Sequence, residues 1–198
     1  MEPLIRDGER ARIFLSHAHS DGDDARWLEH ELRGRVGVQT KRRIEVFRTS
    51  EHRWTFTPSE QTDVDVGAAV RRYQDEFRAY LLEHLARSAA YLLLVTSRSL
   101  NREWINWEIA EAAHLADEHQ LLFVTCLLHV ETSVLLDMKR AWKAPREMKE
   151  SGVSLWAHVR DVPPCAAEAH LENTVLLDEA GGLDRVADKL ARALTPSP

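Results

Sequence analysis

The stretch Trp104-Ile105-Asn106-Trp107-Glu108 has helical periodicity, which sets an indole and a carboxylate one turn apart on the same side. Ile105, Ile109, Ala112 and Ala116 define the apolar stripe of this helix, and Glu108 falls on the flank of that stripe rather than on its outer face. A carboxylate half-tucked against a sheet edge beside an indole is partly desolvated, which raises its pKa. Such a group can stabilise a cationic ribosyl centre, as carboxylates do in glycoside cleavage. A Glu in the first turn is also what the helix macrodipole favours, and spacing alone leaves that structural role ahead of a catalytic one.

A second group of candidates lies near the amino terminus, where Ser16-His17-Ala18-His19-Ser20-Asp21-Gly22-Asp23 follows a short apolar run. Ser16 and His17 could hydrogen-bond a ribose or a phosphate, or serve as turn and capping residues. His17 and His19 lack a further ligand at telling spacing, so no metal site is expected. There is no GxSxG elbow for a hydrolase triad, and no GxGxxG or Walker loop for ordinary dinucleotide or ATP binding. Trp54 and Phe56, next to Pro58, either cover a ligand, mediate self-association or pack down their own loop.

These residues must be positioned by an alternation of strands and helices. Arg12 to Leu15 reads as a short buried strand and Ile44 to Phe47 as a second, while Tyr91 to Val95 is a continuous apolar run typical of a strand covered on both faces and Leu121 to Leu128 is another apolar strand. For the last strand there are two candidates, Val153 to Val159 with its alternating pattern and Thr174 to Leu177. Ser20 and Asp23 suggest a capping box for a helix with Ala25, Leu28 and Leu32 on one face, stopping near Gly34 and Gly37. Val70, Tyr73, Phe77, Leu81 and Leu85 mark a second helix, and Leu183, Val186, Leu190 and Leu194 mark the last, after Gly181-Gly182. Between the second strand and its helix lies a long polar stretch from Thr49 to about Gly67, of a length usually reserved for function. Alternating strands and helices imply an open parallel sheet with helices on both faces. Ligands bind such sheets beyond the carboxyl ends of the strands at a topological switch point. The loops after Leu15, Phe47 and Val95 are therefore the ones of interest.

Composition narrows the partners. Apolar residues make up 44% of the 198 and charged residues 29%, which suits a globular chain with a packed core. A net charge of −6 argues against a nucleic-acid partner, although Lys41-Arg42-Arg43 is a short local basic run. Two distant cysteines, Cys126 in an apolar run and Cys165 after Pro163-Pro164, make neither a disulfide framework nor a metal pair. Without a leader pattern or an apolar stretch of membrane-spanning length, a cytoplasmic protein with no membrane partner is expected.

The order of motifs resembles the TIR domain family. Arg12-Ile13-Phe14-Leu15-Ser16-His17 is similar to the family's first strand and the loop after it. Leu85 to Ser97 is similar to its third strand, and Ser99 to Glu108 to the W-x-x-x-E pattern that opens the next helix. The resemblance covers residues 10 to 128 by motif, with 129–198 completing the sheet and last helices of one TIR domain spanning 1–198. It implies a flavodoxin-like TIR fold, an open five-stranded parallel sheet with helices on both faces. It also implies cleavage of the nicotinamide–ribose bond of NAD⁺, with Glu108 catalytic, with Ser16, His17 and Ser97 lining the substrate pocket, and with Trp104 bordering it. NAD⁺ would be substrate, and no cofactor or metal is implied. The products would be ADP-ribose, cyclic ADP-ribose or a linkage isomer. A lone TIR domain resembles the Thoeris type of anti-phage defence protein, which implies TIR–TIR self-association and a separate effector that responds to the product. Phe47-Arg48-Thr49-Ser50 departs from the family in lacking the acidic residue many members have there. Two other functions fit the same pattern: a non-enzymatic interaction module, and a nucleoside deoxyribosyltransferase-like hydrolase with a catalytic glutamate.

Overall fold

The computed structural model describes residues 11–49, 66–97, 108–109, 111–116, 121–130 and 173–195, with side chains in the second long helix described from residue 76. Five strands form one sheet: β1 (Ala11–Ser16), β2 (Ile44–Arg48), β3 (Ala90–Val95), β4 (Leu122–Leu127) and β5 (Thr174–Leu176). Their order is β2-β1-β3-β4-β5, and every neighbouring pair is parallel. This is the flavodoxin-like order, whose switch point lies between β1 and β3. The register sets Ser16 of β1 opposite Leu93 of β3.

Strand alternation divides the core into two layers. Ile13 and Leu15 of β1, with Ala90, Leu92 and Leu94 of β3, face one layer. Helices α1 (Gly22–Thr40) and α3 (Gly182–Leu194) cover it with Leu28, Leu32 and Val36 and with Val186, Leu190 and Leu194. Phe14 of β1 and Tyr91, Leu93 and Val95 of β3 face the other layer. Helix α2 (Val66–Ala86) covers that face with Leu81 and Leu85, joined by Ile109, Ala112 and Ala113 from the helical residues 108–109 and 111–116. Each buried Leu or Ile in these layers contributes about 1.5–3 kcal/mol of transfer free energy.

Three expectations need correction or resolution. Helix α1 does not stop at Gly34 or Gly37 but runs to Thr40, where Lys41 enters the left-handed region at φ 54°. A helical Gly costs about 1 kcal/mol. Here that is offset by Val36, fully buried beyond Gly34, and by contacts from Arg35 to Asp184 and from Gln39 to Asp188 that bind α1 to α3. The expected Ser20/Asp23 capping box is not formed either. A 3₁₀ turn over His19–Asp21 intervenes, closed by Asp21 N–H on the Ala18 carbonyl at 2.9 Å, and Ser20 Oγ turns to Asp21 Oδ1 instead. Of the two candidates for the last strand, Thr174–Leu176 pairs with β4, whereas 153–159 lies outside the described residues.

Candidate functional site

Ser16 closes β1 on the face that Phe14 occupies, since residues two apart in a strand point the same way. It is fully buried, and its hydroxyl donates to Oε2 of Glu108. Glu108 is itself only 4% exposed, so the carboxyl lies deeper than the helix flank suggested by its spacing. Burial pushes its pKa from 4.5 up to about 7, and the Ser16 hydrogen bond pulls against that rise. A carboxyl tuned in this way is populated in both protonation states near neutral pH. It can lend negative charge to a developing cation or exchange a proton with an incoming nucleophile.

His17 follows directly and is also buried. Its Nδ1 lies 2.8 Å from the Ala18 carbonyl, which can only accept, so the proton sits on Nδ1 and Nε2 is the acceptor of the neutral ring. Burial, seconded by the charge of Arg48, lowers the His17 pKa and keeps the ring neutral. Ser97 occupies an exposed turn just past β3, one residue after the buried Thr96. Ser16, His17 and Ser97 thus sit at the carboxyl ends of β1 and β3, the switch point itself. Trp104, Trp54, Phe56 and Cys165 lie outside the described residues, as does most of 49–67.

Other features escape sequence reasoning. Arg48, at the end of β2, is paired with Glu29 of α1, both side chains being largely buried, and Arg33 reaches the other Glu29 oxygen at 2.6 Å. A cation therefore closes β2, and it is neutralised from the neighbouring helix. Only the departure at Arg48 could have flagged this, because Glu29 reads as an ordinary helical glutamate. Tyr91 is the other, since its ring reads as one more apolar residue of β3 while its buried hydroxyl comes close to Ser16 and Glu108. The basic run has a structural use in part: Arg42 donates to the Leu194 carbonyl at 3.2 Å and ties the end of α1 to α3. Among the described residues no cluster of His, Cys, Asp or Glu could hold a metal, and no helix is long and apolar enough to cross a membrane.

A 2-1-3-4-5 parallel sheet with a buried serine–glutamate pair at its switch point defines a flavodoxin-like α/β protein, and places that pair where such folds usually bind ligands. The family model described as the TIR-like domain of the Thoeris protein ThsB matches residues 14–129, which is more than half of the chain and includes both members of that pair. The chain belongs to this family of Thoeris defence TIR-like domains. No match to a curated protein was found.

Proposed function

We propose that the chain cleaves the nicotinamide–ribose bond of NAD⁺ as an NAD⁺ nucleosidase or ADP-ribosyl cyclase, producing ADP-ribose or a cyclic ADP-ribose-type signal in anti-phage defence. The observation that supports this reading is the buried Ser16–Glu108 hydrogen bond at the switch point. Nicotinamide leaves a positively charged pyridinium, so the C1′–N bond electrons depart with a neutral leaving group and no acid is needed. The oxocarbenium that remains is the species a carboxylate stabilises, and a buried one does so without competition from water. Glu108 supplies that charge. When water attacks, Glu108 takes its proton and ADP-ribose results; when an adenine nitrogen attacks in place of water, the product is cyclic. His17 is a neutral acceptor beside the same strand end and suits a ribose hydroxyl.

Self-association of the domain and a separate effector that senses the product belong to the same reading, in a cytoplasmic setting with neither nucleic acid nor membrane as partner. The test is nicotinamide release from NAD⁺ by the purified chain at high concentration, with and without a crowding agent. Release by the wild type that disappears in Glu108→Ala supports the proposal. Absence of release under every condition, with partner binding intact in Glu108→Ala, supports a non-enzymatic interaction module instead. Turnover of free nucleosides in preference to NAD⁺ points to deoxyribosyltransferase-like chemistry.

A further inference from the structure

Tyr91 does two things that a phenylalanine would not need to do together. Its ring packs against Phe14 at 5.7 Å between centroids and against Phe123 at 4.6 Å, which is ordinary core packing. Its hydroxyl is carried into the core as well, where it comes close to Ser16 without completing a hydrogen bond of normal geometry to any described residue. Buried hydroxyls are nearly always bonded, and an exception calls for an explanation.

Topology supplies one. Tyr91 is paired in register with Phe14, and two residues further along each strand Leu93 stands opposite Ser16. Phe14, Ser16 and Tyr91 therefore share one face of the sheet, the face onto which Glu108 is folded. A serine hydroxyl has one proton and two lone pairs. Ser16 spends the proton on Glu108, which leaves its oxygen able only to accept. Burial first, and the Glu108 charge second, hold the Tyr91 phenol well above its ordinary pKa, so it remains a donor.

We propose that Tyr91 is a positioning residue for Glu108, its hydroxyl donating to Ser16 Oγ so that the serine proton is held toward the carboxylate. Three groups from β1, β3 and the helical residues near 108 then act as one chain of hydrogen bonds, each polarising the next. The groups that bear on Glu108 among the described residues are Ser16 from β1 and Tyr91 from β3. His17 turns its Nδ1 to the Ala18 carbonyl, and Arg48 and Asp21 act on His17.

Only the catalytic importance of this relay rests on the proposed NAD⁺ cleavage; its existence is measured without substrate. The experiment is a carbon-13 NMR titration of the full chain with labelled glutamate side chains, the Glu108 signal being assigned by its loss in Glu108→Gln. Tyr91→Phe keeps the ring and is expected to move the Glu108 midpoint up by roughly half to one pH unit. Ser16→Ala moves it up at least as far, and Tyr91→Phe adds nothing in the Ser16→Ala background. Tyr91→3-fluorotyrosine, a stronger donor of nearly the same shape, moves the midpoint down and serves equally if Tyr91→Phe fails to fold. A midpoint that stays put in the Tyr91 variants, or shifts that add fully to that of Ser16→Ala, overturns the relay. If the relay titrates as expected while no nicotinamide is released from NAD⁺, the functional reading fails and the relay stands.

Discussion

Ser16, the last residue of β1, gives its hydroxyl proton to Glu108, a residue 92 positions further along the chain. The parallel sheet makes the meeting possible. β1 and β3 lie side by side, and the helical residues 108–109 and 111–116 pack on the face on which Ser16 stands. A pair built from two elements that turn away from each other at the switch point lies where such sheets bind ligands.

The burial of Glu108 opposes stability. Its folded pKa, about 7, stands above the 4.5 of an exposed carboxyl. The folded chain therefore holds this proton more tightly than the unfolded one, so stability is complete below about pH 4.5 and is lost as pH rises through about 7. The loss grows to on the order of 3 kcal/mol in alkaline solution. Glu108→Gln cannot titrate. In urea unfolding it is expected to exceed the wild type by about 2–3 kcal/mol at pH 8 and to match it within about 1 kcal/mol at pH 5. Equal differences at both pH values contradict a buried, raised carboxyl.

The same shift sets the pH dependence of the proposed reaction. If the carboxylate form is the active one, nicotinamide release climbs with pH and reaches half its plateau near 7. Ser16→Ala removes the bond that favours the ionised form, so the acid limb moves to higher pH by roughly one unit, while the alkaline plateau falls less than at neutral pH. A rate profile with no limb between pH 6 and 8 in the wild type contradicts this role for the carboxylate.

Much of this could be read from the sequence, and what could not has a physical reason. The apolar run Tyr91–Val95 and the nearly continuous one at Leu121–Leu128 announce strands covered on both faces, and with the shorter runs at Arg12–Leu15 and Ile44–Phe47 and the helices between them they leave little choice but a parallel open sheet. The switch point, and with it Ser16 and His17, follows from that architecture. The depth of Glu108 does not, because periodicity describes one helix in isolation and cannot show that the end of a distant strand closes over its flank. The hydroxyl of Tyr91 is hidden for a similar reason: inside an apolar run the residue reads as its ring. Gly34 and Gly37 mislead because local propensity favours a stop, while the burial of Val36 and the ties to α3 decide otherwise.

The Arg48–Glu29 pair is largely buried, at 11% and 9% side-chain exposure, so removing Arg48 leaves the buried Glu29 carboxylate to the more exposed Arg33. Arg48→Met is expected to lower stability by about 3 kcal/mol, and Glu29→Leu in the same chain to recover most of the loss, in a double-mutant cycle followed by denaturant unfolding. His17 reports the same change: burial is the main cause of its lowered pKa and the Arg48 charge adds to it, so in Arg48→Met its proton NMR titration moves up toward its ordinary value. An unmoved His17 titration excludes electrostatic coupling between the ends of β1 and β2.

Gly182 opens α3 against the end of β5. A Cβ there would stand 2.3 Å from the Leu176 carbonyl oxygen and 3.0 Å from the Leu177 Cα, both backbone atoms with nowhere to go. Gly182→Ala is expected to lose about 1–3 kcal/mol through overpacking and to lower the thermal midpoint by several degrees. Gly181, at φ 75°, has open space around it but a left-handed backbone, so Gly181→Ala loses roughly 1–2 kcal/mol from strain alone. Wild-type melting of Gly182→Ala contradicts the close approach of α3 to β5.

The role of Glu108 is tested most directly by mass spectrometry of the products formed when NAD⁺ is incubated with the wild type and with Glu108→Gln, the latter first shown to be folded. The wild type is expected to yield nicotinamide together with ADP-ribose or a cyclised product one water lighter than ADP-ribose, and Glu108→Gln to leave NAD⁺ intact. Unchanged NAD⁺ with the wild type, or the same products from both proteins, contradicts Glu108 as the catalytic carboxylate.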